Sequence, residues 1–256
     1  MKRLRMKVNK EKRIGRVLFI VEGSRYEFSL LQKIFVGVFQ YEYLEKRRSR
    51  PARFISGTDK FSRIAVVNTR ESNIKDITEN EQFLDDVFEM LLKEYDYPVD
   101  QSAIYYLFDR DPESNNDSEQ IRNYISILRN PYENDGFWRA GQLLLSYPSV
   151  ESYTITAFDD KSDNLRFMLG KEAKRYIAGH TDIQLNKVDE NALIKAAEYF
   201  LKYIDDMGVT LDLDEFEGTS MAIFNQQDID YCKEEGFRLF SMLTLSLLQL
   251  GLTEMI

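Results

Sequence analysis

Apolar and polar positions along this 256-residue chain change period several times, and each change marks an element. Val17-Leu-Phe-Ile-Val21 is an unbroken apolar run, short enough for a strand covered on both faces. After Ser24, Phe28, Leu31, Phe35 and Val38 recur at helical spacing, so a helix follows. Arg63 to Asn68 reads as a second strand, and Phe83, Val87, Met90 or Leu91, and Glu94 outline a second helix with one apolar face. Ala103 to Phe108 is a third strand. Ile121, Tyr124, Ile125 and Leu128 mark a helix that stops before Pro131, and Gln142 to Ser146 makes a fourth, short strand. The order β-α-β-α-β-α-β predicts an α/β fold with a parallel four-stranded sheet flanked by helices, because a parallel return needs a helix-length connection.

Beyond Phe158 the strand signal fades. Leu193, Ala196, Ala197, Phe200, Leu201 and Ile204 give a helix over 192–206 with Gly208 as its stop, and Asp228 to Leu250 reads as another long helix, bent near Gly236. The expected division is a basic N-terminal tail at 1–16, an α/β domain at 17–157 and an α-helical C-terminal region at 158–256. That last region either packs on the sheet or forms a homodimer face. No internal repeat and no low-complexity segment interrupts the pattern.

The two strongest strands run straight into acids. Val17 to Val21 leads into Glu22-Gly23-Ser-Arg-Tyr-Glu27, and Ile104 to Phe108 leads into Asp109-Arg110-Asp111. Ligands of parallel sheets gather at the carboxyl ends of the strands, which is the edge where Glu22, Asp109 and Asp111 fall. Asp109 and Asp111 are two residues apart, so on extended backbone both side chains leave the same face. Gly23 permits backbone to approach a phosphate, and the following helix N-terminus favours an anion. Each piece also has a plain structural use. Ser24-Arg-Tyr-Glu27 fits a capping box, and Asp109-Arg-Asp-Pro-Glu-Ser fits a solvated turn.

Composition narrows the chemistry. Histidine and cysteine each occur once, as His180 and Cys232, so His/Cys zinc sites, Ser-His-Asp triads and an intrachain disulfide framework all lack their parts. What remains is carboxylate, lysine, arginine and tyrosine, and a carboxylate set suits a hard divalent cation such as Mg²⁺, with Mn²⁺ as the alternative. No N-terminal segment has the apolar core of a secretory signal and no apolar stretch is long enough for a bilayer, so a cytoplasmic protein without a membrane partner is expected. The formal net charge of −9 argues against nonspecific coating of nucleic acid. Two basic clusters remain able to contact phosphates, one in the first sixteen residues and one at Lys46, Arg47, Arg48, Arg50 and Arg53.

An apolar strand ending in Glu22-Gly23 with Glu27 four residues on, and a later strand ending in Asp109-Arg110-Asp111, resembles the TOPRIM family over residues 16–157. Ser146-Tyr-Pro-Ser-Val-Glu151-Ser-Tyr153 is similar to a segment of RloB-like and OLD-like nuclease effectors of antiphage defence, with Tyr147, Val150 and Tyr153 departing from its pattern. The resemblance implies that Glu22, Asp109 and Asp111 hold Mg²⁺, with Glu27 and Glu151 completing a second site. Glu151 is equally a first-turn helix acid after a proline. Arg25, Arg110 or Lys161 would support transition-state charge. The implied activity is phosphodiester hydrolysis of RNA, including tRNA, or of DNA, as a toxic effector held by a partner. The resemblance also implies an ATPase partner; this chain has no Gly-x-x-x-x-Gly-Lys-Ser/Thr loop of its own. The alternative is a catalytically silent TOPRIM-like module that binds nucleic acid or a partner.

Overall fold

A computed structural model describes residues 5–23, 25–44, 51–69, 81–134, 139–214, 216–233 and 236–256. Two strands form its axis. Strand β2 (Arg16–Val21), which follows the short β1 (Met6–Val8), has no exposed surface from Val17 to Val21, as its unbroken apolar run requires. Helix α1 (Tyr26–Gln32) continues as a π-helical turn through Val38 and buries Leu30, Leu31, Ile34 and Phe35 against the sheet. The chain then makes β3 (Tyr41–Tyr43), β4 (Ala52–Ser56), β5 (Arg63–Asn68), α2 (Glu81–Tyr95) and β6 (Ser102–Asp109), the last buried along its whole length. Helix α3 (Ser118–Ile127) is capped by Asp117, whose carboxylate accepts from the Glu119 and Gln120 N–H groups. Next come β7 (Arg129–Asn134), β8 (Arg139–Tyr147) and α4 (Glu151–Phe158).

The strands expected at 17–21, 63–68, 103–108 and 142–146 are β2, β5, β6 and β8. They pair in parallel as one block in the order β5-β2-β6-β8. The sheet is larger than the four strands expected. Antiparallel β4 and β3 extend it beyond β5, and β7 pairs with β8 on its outer edge. Pro131 lies within β7, where an edge strand tolerates the missing donor and the register slips between Asn130 and Asn134. Gly141 in β8 sits at φ +104°, and a Cβ there would meet Ile104 and Tyr106 within 3 Å, so only glycine fits this crossing of β6.

After α4 come β9 (Arg166–Phe167), α5 (Gly170–Gly179), α6 (Glu190–Asp206) and α7 (Phe216–Cys232). The expected helix over 192–206 is α6, and Gly208 stops it at φ +68°. The long bent helix over 228–250 is not formed. Helix α7 ends at Cys232, Gly236 adopts φ +76°, and β10 (Phe237–Arg238) and β11 (Phe240–Ser241) follow before α8 (Leu243–Gln249) and β12 (Thr253–Met255). The left-handed backbone at Gly236 turns Phe237 and Arg238 against β9, and Phe240 and Ser241 against the end of β8. Strand β1 lies in the segment expected as a tail and pairs with β12, with Lys7 bonded to Glu254 at 3.0 Å. One apolar cluster runs from Met6 through the sheet to Leu252, so α6 and α8 share the core of the parallel block. No helix among the described residues is long and apolar enough to cross a membrane.

Candidate functional site

Parallel pairing fixes where the acids fall. Val21 is in register with Leu107, and the ladder continues past it, with Glu22 N–H donating to Leu107 O at 3.2 Å and Arg110 N–H to Ser146 O at 2.8 Å. Glu22 and Asp109 therefore emerge side by side at the carboxyl edge of the two central strands. Glu22 Oε2 accepts from the Asp109 N–H at 2.8 Å. Asp109 Oδ1 accepts from the Val150 N–H at 2.8 Å, which places it at the N-terminus of α4 beside Glu151. Asp111 lies past the end of β6, and its Oδ2 accepts from the Gly170 N–H at 3.0 Å at the start of α5. Glu27, in the first turn of α1, folds back so that Oε1 accepts from the Gly23 N–H at 3.0 Å. Ser24, the other half of the expected capping box, lies outside the described residues.

Two glycines provide the room for this. A Cβ on Gly23 would lie 2.6 Å from Glu27 Oε2, and one on Gly170 would lie 2.7 Å from Asp111 Oδ2 and 3.2 Å from Ser149 Cβ. Both carboxylates rest against backbone that has no side chain. Tyr26 adds a tie between α1 and α4, its hydroxyl donating to Thr154 Oγ1 at 2.7 Å.

The five acids share one electrostatic field. Burial pushes the Glu22 carboxyl up to about 7; Glu27 and Asp111 add to the rise, while the Asp109 N–H and Lys174 oppose it. Burial also holds Asp109 well above the ordinary carboxylate range, with Glu22, Glu151 and Glu27 reinforcing it. Glu27 is raised by burial and by Glu151 against the pull of the Gly23 N–H. Lys174, on the solvent side of α5, is the cation of the group. Burial works against its charge, yet Glu151, Asp109, Glu27 and Asp111 together lift its pKa above the ordinary value.

The donor set is oxygen-only and becomes strongly negative once its carboxyls lose their protons, which suits a hard divalent cation. Two polar atoms at the start of α4 support the same reading. Glu151 is 4% exposed and Ser149 fully buried, yet Glu151 Oε2 and Ser149 Oγ meet no hydrogen-bond partner among the described residues. Against this, no three carboxyl, imidazole or thiol groups among the described residues converge as they stand into a set that could hold a metal ion. The hydrogen bonds account for that. Glu22, Glu27, Asp109 and Asp111 each turn an oxygen to a backbone N–H instead of to one common point.

The remaining sequence candidates separate from the site. Arg110 leaves the strand on the side opposite Asp109 and is 2% exposed, bonded to Asn115 O, Ser118 and Asp228. Both terminal nitrogens are engaged there, and Nε is buried with them, away from the carboxylate edge. Arg25 is the exposed residue preceding α1, and Lys161 is exposed ahead of the 3₁₀ turn Ser162–Asn164. His180 stacks on Tyr176 with ring centroids 4.0 Å apart, a packing role, and Cys232 is a free thiol at the surface. Lys46, Arg47, Arg48 and Arg50 lie outside the described residues. Sequence reading missed Lys174, Gly170, Ser149 and the Val150 N–H. Ser149 and Val150 lie inside the segment quoted for Glu151 but carry no acid to single them out, and Gly170 and Lys174 have no motif and join the site through α5, which meets the sheet edge only in the folded chain. Comparison with protein-family models, with curated proteins and with solved structures finds no match to this chain.

Proposed function

We propose that the chain is a divalent-cation-dependent phosphodiester hydrolase, a TOPRIM-like nuclease acting on RNA, including tRNA, or on DNA. The observation that carries this reading is the gathering of Glu22, Glu27, Asp109, Asp111 and Glu151 at the carboxyl edge of the central strands. Burial raises three of the five, and Glu151 Oε2 is left without a donor. Crowded carboxylates in low dielectric repel one another, and a cation is the ligand that relieves the repulsion. Glu22, Asp109 and Asp111 would hold one Mg²⁺ or Mn²⁺, and Glu27 with Glu151 would complete a second site; such an ion supplies an activated water and stabilises a leaving oxygen. A shared ion would draw the Glu22 and Asp109 oxygens off the N–H groups they now accept from. With those carboxylates on an ion, Lys174 would be left to neutralise charge on a bound phosphate. Ser149 Oγ, buried and unpartnered, offers a further donor at the same edge.

The likeness to antiphage effectors extends the proposal to a toxic nuclease of an abortive-infection system, restrained by an ATPase partner, cytoplasmic, and assembled as a homodimer. A second reading has one observation in its favour. With four carboxylates satisfied by backbone N–H groups and Lys174 supplying positive charge, the cluster is balanced without an ion, as a silent module that binds nucleic acid or a partner would be. One assay separates the two. Purified protein is incubated with tRNA and with plasmid DNA in Mg²⁺, in Mn²⁺ and in EDTA, beside Glu22→Ala and Asp109→Ala. The nuclease reading predicts cleavage that needs the cation and is lost in both variants. Cleavage that survives both variants removes this site from the chemistry, and no cleavage of either substrate favours the silent module.

A further inference from the structure

Arg110 stands between the two aspartates of Asp109-Arg110-Asp111, and its side chain points away from them into the protein. Its guanidinium is 2% exposed. One terminal nitrogen donates to Asn115 O; the other donates to Ser118 Oγ at 3.0 Å and meets Asp228 Oδ1 at 3.5 Å. The planar group meets the faces of two rings, 5.6 Å from Phe224 and 5.7 Å from Phe237. Asp228 belongs to α7, far along the chain. It also accepts from Ser118 Oγ at 2.5 Å and from Arg122 at 2.8 Å, and Arg122 in turn reaches Asn225 at 3.0 Å.

The same residues close a ring behind the carboxylates. Asn115, whose carbonyl receives Arg110, donates its own side-chain amide to Asp109 O at 2.9 Å and its N–H to Asp111 O at 2.8 Å. The backbone on either side of Arg110 is thus held through Asn115, and Asn115 is held by a guanidinium that Ser118 and Asp228 meet from its other terminal nitrogen. A buried arginine without its counterion would be strongly unfavourable, so Asp228 fixes where Arg110 stays.

We infer that Asp228 is a positioning residue: acting through Arg110 and Asn115, this α7 carboxylate sets the geometry of Asp109 and Asp111 from behind. It touches neither the cation nor the substrate, and it makes the carboxylate edge of the sheet dependent on the helices that follow it. The inference rests on the reading of that edge as a cation site for its metal readout, and on backbone order alone for its second readout.

The test uses the full chain. Mn²⁺ is titrated into the parent, Asp228→Asn, Asp228→Glu and Ser118→Ala, while hydrogen exchange of the 109–117 segment is followed without metal. Asp206→Asn is the control, because it breaks the other arginine network of the helices, where Arg238 meets Asp206 at 2.9 Å and Asp163 at 3.0 Å. The expected result is Mn²⁺ affinity lowered on the order of tenfold or more in Asp228→Asn, as for other groups that orient ligands from behind, with partial recovery in Asp228→Glu. Exchange over 109–117 should be faster in Asp228→Asn and Ser118→Ala, and both readouts unchanged in Asp206→Asn. If Asp228→Asn does not fold, Ser118→Ala decides, since it removes only the hydroxyl bridging Arg110 and Asp228. Parent-like Mn²⁺ affinity and exchange in the Asp228 and Ser118 variants overturn the inference. A parent that binds no Mn²⁺ overturns the cation-site reading instead, and exchange then decides the positioning role.

Discussion

Glu151 is 4% exposed, and its Oε2 finds no hydrogen-bond donor among the described residues. A buried carboxylate oxygen without a partner costs stability. Glu151→Gln should therefore stabilise the metal-free protein by about 1 kcal/mol, a rise of roughly 2–4 °C in melting temperature for a chain of this size, while weakening cation-dependent activity. Calorimetric melting beside the cleavage assay checks both; a destabilised variant would mean that Oε2 has an internal partner. Glu22 makes a pH prediction. Its folded pKa is raised from 4.5 to about 7, so the folded state retains a proton that the unfolded chain releases across that interval. Its favourable contribution is complete below about 4.5 and is lost as pH rises through about 7. Without metal the melting temperature should fall from pH 5 to pH 8, and Mg²⁺ should restore more of it at pH 8 than at pH 5. A melting temperature that climbs across this range would show that other groups outweigh Glu22.

The elements that carry the acids were readable because their patterns are local. Val17 to Val21 and Ile104 to Phe108 are unbroken apolar runs, and both are fully or almost fully buried central strands. The helix over 192–206 was equally plain. The error at 228–250 has a physical source. The apolar run from Leu239 to Leu252 gives no sign of where a helix yields to two-residue strands, and those strands exist only because β8 and β9 offer them edges. The site was legible in the same proportion. Glu22 and Asp109 sit at strand ends, with Asp111 two residues on, and could be placed, whereas Gly170 and Lys174 arrive on a helix that no local signal ties to the sheet. Gly170→Ala tests that arrival. Its Cβ would displace Asp111 from the Gly170 N–H, so Mn²⁺ affinity should drop severalfold with little change in helix content by circular dichroism, and an unchanged affinity would remove Asp111 from the ligand set.

At the scale of the molecule, the helices after the sheet complete the site and do not merely follow it. Val150 and Gly170 donate to Asp109 and Asp111 from the starts of α4 and α5, Lys174 balances the charge from α5, and Asp228 stands behind Arg110 from α7. A fragment ending near residue 157 keeps the central strands and loses three of these four supports. Such a fragment should bind Mn²⁺ far more weakly than the full chain even where its sheet persists, which titration of both proteins would measure. The central claim is that the carboxylate edge is a divalent-cation site, and a crystal structure grown in Mn²⁺ and read by anomalous scattering tests it most directly. The account predicts an anomalous peak bounded by Glu22, Asp109 and Asp111, with the Glu22 and Asp109 oxygens turned off the N–H groups of Asp109 and Val150. Saturating Mn²⁺ with no peak there, and all four carboxylates still on their backbone partners, would contradict it.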